Sequence, residues 1–283
     1  NMFVKSIQPE VLEKLEIASF PGEITVIDSV GPEFNRAIRY LRDQKIIGFD
    51  TETRPCFSPS QPRYNVSLLQ LSGPNKAFLF RIQKLGMHKR LVSILASDKI
   101  LKIGAAVADD IRGLQKFVPF QAAGFIDLQK IVWEYGIKDK SVKKMSAIIL
   151  GYRVSKTQQL SNWEAEELSE GQQKYAATDA WVCREMYIKL QRSEKNPLSP
   201  EELLPPMPPE QKLKLEAKAK AKAEREAQMK EQQRAKAERK AKAKAKAKAK
   251  VHQKPKDAGS KPGSRRKYRR KPQKPAQKPV ENN

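Results

Sequence analysis

Residues 46–53 read IIGFDTET, four apolar or small residues followed by an alternation of polar and acidic ones. A run of that kind is a buried strand that surfaces at the edge of a sheet. In extended chain, positions i and i+2 point to the same face, so Asp50 and Glu52 project side by side. Two carboxylates held that close repel unless a cation lies between them, and hard oxygen ligands at this spacing favour Mg²⁺ or Mn²⁺. Taken alone, the pair reads equally well as polar residues where a strand leaves the core. A phosphatase of the DxD type would need an aspartate where Glu52 stands.

Working outward, Val66–Leu71 and Ala77–Ile82 are two more strand-like runs separated by the turn residues SGPNK. With 46–53 they predict an antiparallel meander. Ile24–Ile27 is a short β-rich run before it, and Ile100–Val107 and Phe125–Leu128 follow it. Helical spacing covers a segment beginning at Pro9, with Val11, Leu12, Leu15 and Ile17 apolar. It recurs over 32–44, 87–95, 110–117, 128–135, 141–150 and roughly 169–192. The two later strands are each set off by a helix and predict parallel additions to the same sheet. The fold class that results is α/β, a mixed sheet flanked by helices.

The chain has 283 residues and a formal net charge of +24, unevenly spread. Residues 201–283 hold 27 of the 56 Lys and Arg but only 10 of the 32 acids, and of the aromatic residues only Tyr268 lies beyond position 196. The first part can bury a core and the last part cannot. SPEELLPPMPPE holds five of the 19 prolines and predicts an extended linker over 196–211. Beyond it, 212–283 is Lys/Arg/Ala/Pro-rich low-complexity sequence. Its Ala/Lys stretch suits a transient helix with no apolar face, and its Pro/Lys/Arg end predicts disorder. At this charge the tail reads as an arm that holds nucleic acid nonspecifically, against the plainer reading of a solubilising segment.

Two cysteines, Cys56 and Cys183, make no disulfide framework and no thiolate zinc site. Cys56 reads as a loop thiol and Cys183 as a small core residue. His88 and His252 are too few for the histidine-rich centres of zinc and iron enzymes. No apolar run approaches membrane-spanning length, and NMFVKSIQPE lacks the pattern of a signal peptide. These features predict a cytoplasmic protein with no membrane partner.

Further acids join the first pair. Asp110 follows LKIGAAV and opens a helical pattern through Ile111, Leu114 and Phe117. Its neighbour Asp109 competes for any functional role and is expected to be the helix N-cap, leaving Asp110 to project toward the sheet edge. In QQKYAATDAWVCREMY, Tyr175 and Asp179 are four apart on one helix face that continues through Gln172, Ala176, Cys183 and Met186. A carboxylate on such a buried stripe needs a charge partner, and a metal shared with Asp50 would supply one. The plainer reading is an ordinary Tyr–Asp pair near a helix end.

Asp50, Glu52, Asp110 and Asp179 in that order, with Tyr175 four before the last, resemble the DEDDy branch of the DnaQ-like 3′–5′ exonucleases. Ribonuclease D, the proofreading domain of family A DNA polymerases and the Werner syndrome exonuclease belong to that group. The matching blocks are FDTET, IGAAVADDIRGL and SNWEAEELSEGQQKYAATDAWV, within about residues 20–192. The resemblance implies a ribonuclease H-like fold and a 3′–5′ exonuclease domain over 20–195, preceded by a helical extension over 1–19. It implies two divalent ions, Mg²⁺ or Mn²⁺, with Asp50 shared between them. Glu52 and Asp179 would hold the ion on the nucleophile side, and Asp110 the second through water. Tyr175 would orient the attacking water. The branch that uses histidine places it five before the last aspartate, where Lys174 stands. The products would be nucleoside 5′-monophosphates from DNA or RNA 3′ ends.

Departures from the family pattern are visible. Many relatives carry a basic residue and a proline shortly after the tryptophan, whereas Trp163 is followed by EAEEL, and Glu164, Glu166, Glu167 and Glu170 could repel a phosphate backbone. Trp163 is expected to pack in the core rather than stack on a base. Asp127 is a fifth acid, expected to cap the helix that follows it. From other classes, the chain could be a noncatalytic nucleic-acid-binding module, or a ribosome-associated scaffold that uses only its tail.

Overall fold

A computed structural model describes residues 2–58, 60, 63–204 and 209–251. The chain divides into two units, 1–205 and 206–283. In the first, the elements in chain order are α1 (Pro9–Leu12), β1 (Glu23–Ile27), α2 (Pro32–Arg42), β2 (Ile46–Thr53), β3 (Val66–Ser72), β4 (Lys76–Arg81), α3 (Ile82–Leu85) and α4 (Lys89–Leu95). They continue with β5 (Leu101–Gly104), α5 (Val107–Gln115), β6 (Phe125–Asp127), α6 (Leu128–Ile131), a 3₁₀ turn at Val132–Tyr135, α7 (Val142–Leu150), α8 (Glu170–Gln191) and α9 (Pro200–Leu203).

The six strands form one sheet in the order β1-β4-β3-β2-β5-β6. The expected meander is present, with β2 antiparallel to β3 and β3 antiparallel to β4. β5 runs parallel to β2 and β6 parallel to β5, while β1 adds in parallel to β4 at the far edge. β3 is central, and all seven of its residues are buried. On one face, Ile47, Phe49, Leu69, Leu71, Phe78 and Phe80 pack under α2 and α4 through Phe34, Leu41, Leu91 and Leu95. On the other, Leu68 and Leu79 meet Trp163 and the alanines Ala176 and Ala177 of α8. Farther along α8, Val182, Cys183 and Met186 pack with Ile103, Leu128 and Met145.

α8 starts where its sequence dictates. Ser169 caps it, accepting from the Gln172 amide at 3.2 Å, while the Gln172 side chain accepts from the Ser169 amide at 3.0 Å. That reciprocal box satisfies two backbone donors that have no partner within the helix. Gln172 Nε2 also donates to Asn162 O at 3.1 Å, which ties the Trp163 loop to the helix start. The small residues of α8 let it approach the sheet closely. A Cβ on Gly48 of β2 would lie 1.8 Å from the Ala180 carbonyl oxygen.

Three expectations before the linker are corrected. The first helix is a single turn, Pro9–Leu12, because tertiary backbone bonds take the chain after it. Arg153 N donates to Glu16 O at 2.9 Å and Ala18 N to Arg153 O at 2.7 Å, so this stretch runs extended. β5 ends at Gly104 instead of continuing to Val107. Ala106 adopts a left-handed conformation (φ 60°), which breaks the strand and starts α5. Asp127 holds that conformation by accepting from Ala106 N at 2.9 Å. Asp127 also caps α6, as expected, accepting from Gln129 N at 3.0 Å. Finally, the N-cap of α5 is Ala106, not Asp109.

In the second unit, Pro209–Val251 is one helix, α10, whose described side chains are all exposed. The linker expected to be extended over 196–211 instead contains the helical turn α9, capped by Ser199, and the start of α10 at Pro209. Residues 205–208 within it, and 252–283, where the Pro/Lys/Arg-rich disordered end is expected, lie outside the described residues.

The Gly48 contact is testable. Gly48→Ala sets a methyl against main chain that cannot move without shifting α8, so unfolding in urea should show a loss of about 3 kcal/mol or more. A loss below about 0.5 kcal/mol would mean that the helix does not depend on this approach.

Candidate active site

The C-terminal half of β2 brings Asp50 and Glu52 out on the face covered by α8, and the close contact at Gly48 sets Asp179 of α8 against them. One carboxylate oxygen each from Asp50, Glu52 and Asp179 lies within 4.8 Å of the others. Between these two acids, Thr51 alternates to the opposite face of β2 and donates to Asp110 Oδ1 at 2.5 Å. Asp110 is therefore anchored beside the three acids rather than among them, and its charge still bears on Asp50 and Glu52. Tyr175, one turn before Asp179 on the same helix face, has its hydroxyl close enough to that carboxylate to influence its ionisation.

Of the five residues expected in the site, Asp50, Glu52 and Asp179 cluster with Tyr175 beside them, and Asp110 is held by Thr51 to one side. Asp109, the competing acid, points away. It is 84% exposed and paired with Arg112 one turn on. The reason is helical geometry: a step of 100° separates neighbours, so only one of the two adjacent aspartates can face the sheet.

Electrostatics follow from crowding. Burial, then the charges of Asp179 and Asp110, push the Asp50 carboxyl well above the usual carboxylate range. Burial and the Asp50 charge push Glu52 up to about 10. Asp179 rises to about 7 through burial, opposed by the Tyr175 hydrogen bond and the nearby charge of Lys156. Burial also raises Asp110, against the Thr51 hydrogen bond. Tyr175 is pushed far above an ordinary phenol by burial and by Asp179 and Glu52, so its hydroxyl keeps its proton.

This donor set fits a divalent cation. The ligand atoms are hard oxygens from three carboxylates close enough to share one ion, and a cation among them would favour their ionised forms against the burial, and for Asp50 and Glu52 the repulsion, that raises their pKa values.

Other residues shape the site without a sequence signal of their own. Gly48 gains its meaning only from the helix above it, and Thr51 only from the α5 acid beneath it. Lys156 lies near Asp179, and Lys174, Ser155, Thr157 and Tyr175 line a cavity of about 170 Å³ that reaches Asp179. The acidic stretch after Trp163 is partly neutralised: Glu164 pairs with Arg54 at 3.4 Å and Glu166 with Lys84 at 2.7 Å. Glu170 lies in the first turn of α8, where a negative charge suits the helix dipole. Trp163 is fully buried beside Tyr175, with ring centroids 5.9 Å apart, in keeping with a packing role. Cys183 is a buried core thiol and Cys56 lies in the loop after β2.

Comparison with known proteins identifies the family. A family profile described as 3′–5′ exonuclease matches residues 31–194. "Exonuclease 3′-5′ domain-containing protein 2" of Drosophila melanogaster is 33% identical over 178 residues, covering 60% of this chain and 30% of that protein. "Bifunctional 3′-5′ exonuclease/ATP-dependent helicase WRN" of Mus musculus is 29% identical over 196 residues, covering 65% of this chain and 14% of that one. The chain thus spans less than a third of the length of these relatives. Among solved structures, the Aedes aegypti Nibbler EXO domain superposes with a TM-score of 0.54 at 22% identity, covering 62% of this chain and 91% of that domain. That likeness establishes the ribonuclease H-like fold.

The raised carboxyls set a pH dependence. In the folded state Asp179 and Glu52 keep protons that an unfolded chain releases near pH ~4. The folded state therefore binds more protons between there and the folded values of about 7 and about 10, so stability falls as pH rises through that window. In EDTA the melting temperature should drop from pH 5 to pH 9, and Asp50→Asn should raise it at pH 8. A flat profile, with no gain in the variant, would mean that the acids are not crowded as described.

Proposed function

Since the chain belongs to the 3′–5′ exonuclease family, a group of phosphodiester hydrolases, we propose that it removes nucleotides one at a time from single-stranded or 3′-ended DNA or RNA using two divalent ions, Mg²⁺ or Mn²⁺. The observation that carries this reading is the set of three carboxylates within 4.8 Å, with Tyr175 one helical turn from the third. Asp50, Glu52 and Asp179 would hold the ions, with Asp110 contributing from its Thr51-anchored position. When bound, such ions lower the pKa of a water and neutralise charge on the attacking and leaving oxygens.

The chain's own groups have distinct duties in this proposal. Tyr175 keeps its proton, so it orients the attacking water by hydrogen bonding and does not abstract a proton from it. Glu52, at the last regular position of β2 before a bulge, accepts the terminal 3′-hydroxyl, which restricts attack to chain ends. Asp179 is held in register by the close contact of its neighbour Ala180 with Gly48. Lys156 offsets the crowded negative charge beside Asp179. The product is a nucleoside 5′-monophosphate.

The basic segment is proposed to retain nucleic acid between cleavage events. In α10, the described lysine and arginine side chains stand in solvent, the arrangement expected of an electrostatic arm. Cytoplasmic residence is part of the same proposal. It is supported by the sparse cysteine usage, and no described helix is long and apolar enough to cross a membrane.

Two experiments test these readings. With 5′-labelled DNA and RNA oligonucleotides and Mn²⁺, the wild type should yield a ladder shortening from the 3′ end. Asp50→Ala should lower the rate by at least ~10³-fold, the scale at which loss of a shared metal ligand operates. Intact binding without any ladder would favour the noncatalytic module instead. For the tail, a chain ending at Leu204 should bind single strands with a much shallower dependence of log K on log salt than the full chain. Equal slopes would remove the tail from substrate retention.

A further inference from the structure

Gln70 lies in the middle of β3, fully buried, directly opposite Asp50 in the β2–β3 register. Residues so paired share a face of the sheet, with Cβ atoms about 4.5–5.5 Å apart. That face is the one covered by α8. Around Gln70 it is apolar: Leu79 is its partner on β4, and Leu68 precedes it by two positions. Both atoms of the Gln70 amide, Oε1 and Nε2, lack a hydrogen-bond partner among the described residues.

A leucine would fill much the same volume without burying an unpaired amide, so glutamine here carries a cost in stability that packing does not explain. The polar side chain set directly against it is Asp50, the central acid of the cluster. A neutral amide has one advantage over a lysine or arginine in that place: it can donate to an ionised carboxylate without competing with a divalent cation for the site.

We propose that Gln70 is a positioning residue for Asp50, its Nε2 donating to the ionised carboxylate and fixing which oxygen is presented to the cation. This rests on the metal-dependent reading above and deepens it, since Gln70 touches neither metal nor substrate and acts through Asp50.

The test uses the full chain and its Gln70→Leu and Gln70→Met variants. Melting temperature is measured in EDTA, Mn²⁺ affinity by calorimetry, and kcat and KM on a single-stranded oligonucleotide. In EDTA, Gln70→Leu should melt at or above the wild-type temperature, because an unpaired buried amide is gone. Mn²⁺ should nonetheless bind about 10-fold or more weakly, the usual consequence of losing a hydrogen bond to a metal ligand. kcat should fall at saturating substrate with little change in KM. If Gln70→Leu folds poorly, Gln70→Met, with an unbranched side chain of similar reach, serves the same comparison. Wild-type Mn²⁺ affinity in a folded variant would overturn the proposal and leave the metal site standing. Absence of Mn²⁺ binding in the wild type would overturn the metal reading and this proposal together.

Discussion

The approach of α8 to β2 at Gly48 is the contact on which the site depends. With only a hydrogen at that position, the Ala180 carbonyl comes so near the strand that a methyl group would overlap it. Ala176, Ala177 and Ala180 keep the helix surface low along the same face. One residue from Ala180 is Asp179, and two from Gly48 is Asp50. Pressing the two backbones together is what presses the two carboxylates together. A bulkier contact would hold the two backbones apart, and the acids with them.

Crowding then sets the chemistry. Three half-buried carboxylates within reach of one cation, with their protons held tightly, form a donor set that suits a hard divalent ion better than a basic side chain. The surroundings are graded. Thr51 fixes Asp110 from the opposite face of the strand, and Tyr175 lies beside Asp179 from the previous helical turn. The neutral phenol and the nearby Lys156 are the counterweights on the helix side, while Arg54 and Lys84 neutralise acids of the loop that follows Trp163.

Much of this is legible in the sequence because it is periodic. IIGFDTET declares both its strand and the shared face of its two acids, and the i, i+4 spacing of Tyr175 and Asp179 declares theirs. The meander and the parallel additions follow from strand runs separated by short turns or by helices. What is not legible depends on partners distant in the chain. Asp109 and Asp110 differ only in which way a helix presents them, and that is set by a left-handed Ala106 pinned by Asp127, 21 residues on. The helix begun at Pro9 stops after one turn because Arg153 captures the backbone that follows. Gly48, Thr51 and Gln70 are unremarkable letters until α8, α5 and β2 are set against them.

The central claim is that Asp50, Glu52 and Asp179 form a site for a divalent cation. Anomalous diffraction from crystals soaked in Mn²⁺ tests it without recourse to activity. The account predicts a strong peak within coordination distance of all three carboxylates, lost in Asp50→Asn. Mn²⁺ bound only elsewhere, or the same peak persisting in Asp50→Asn, would contradict it.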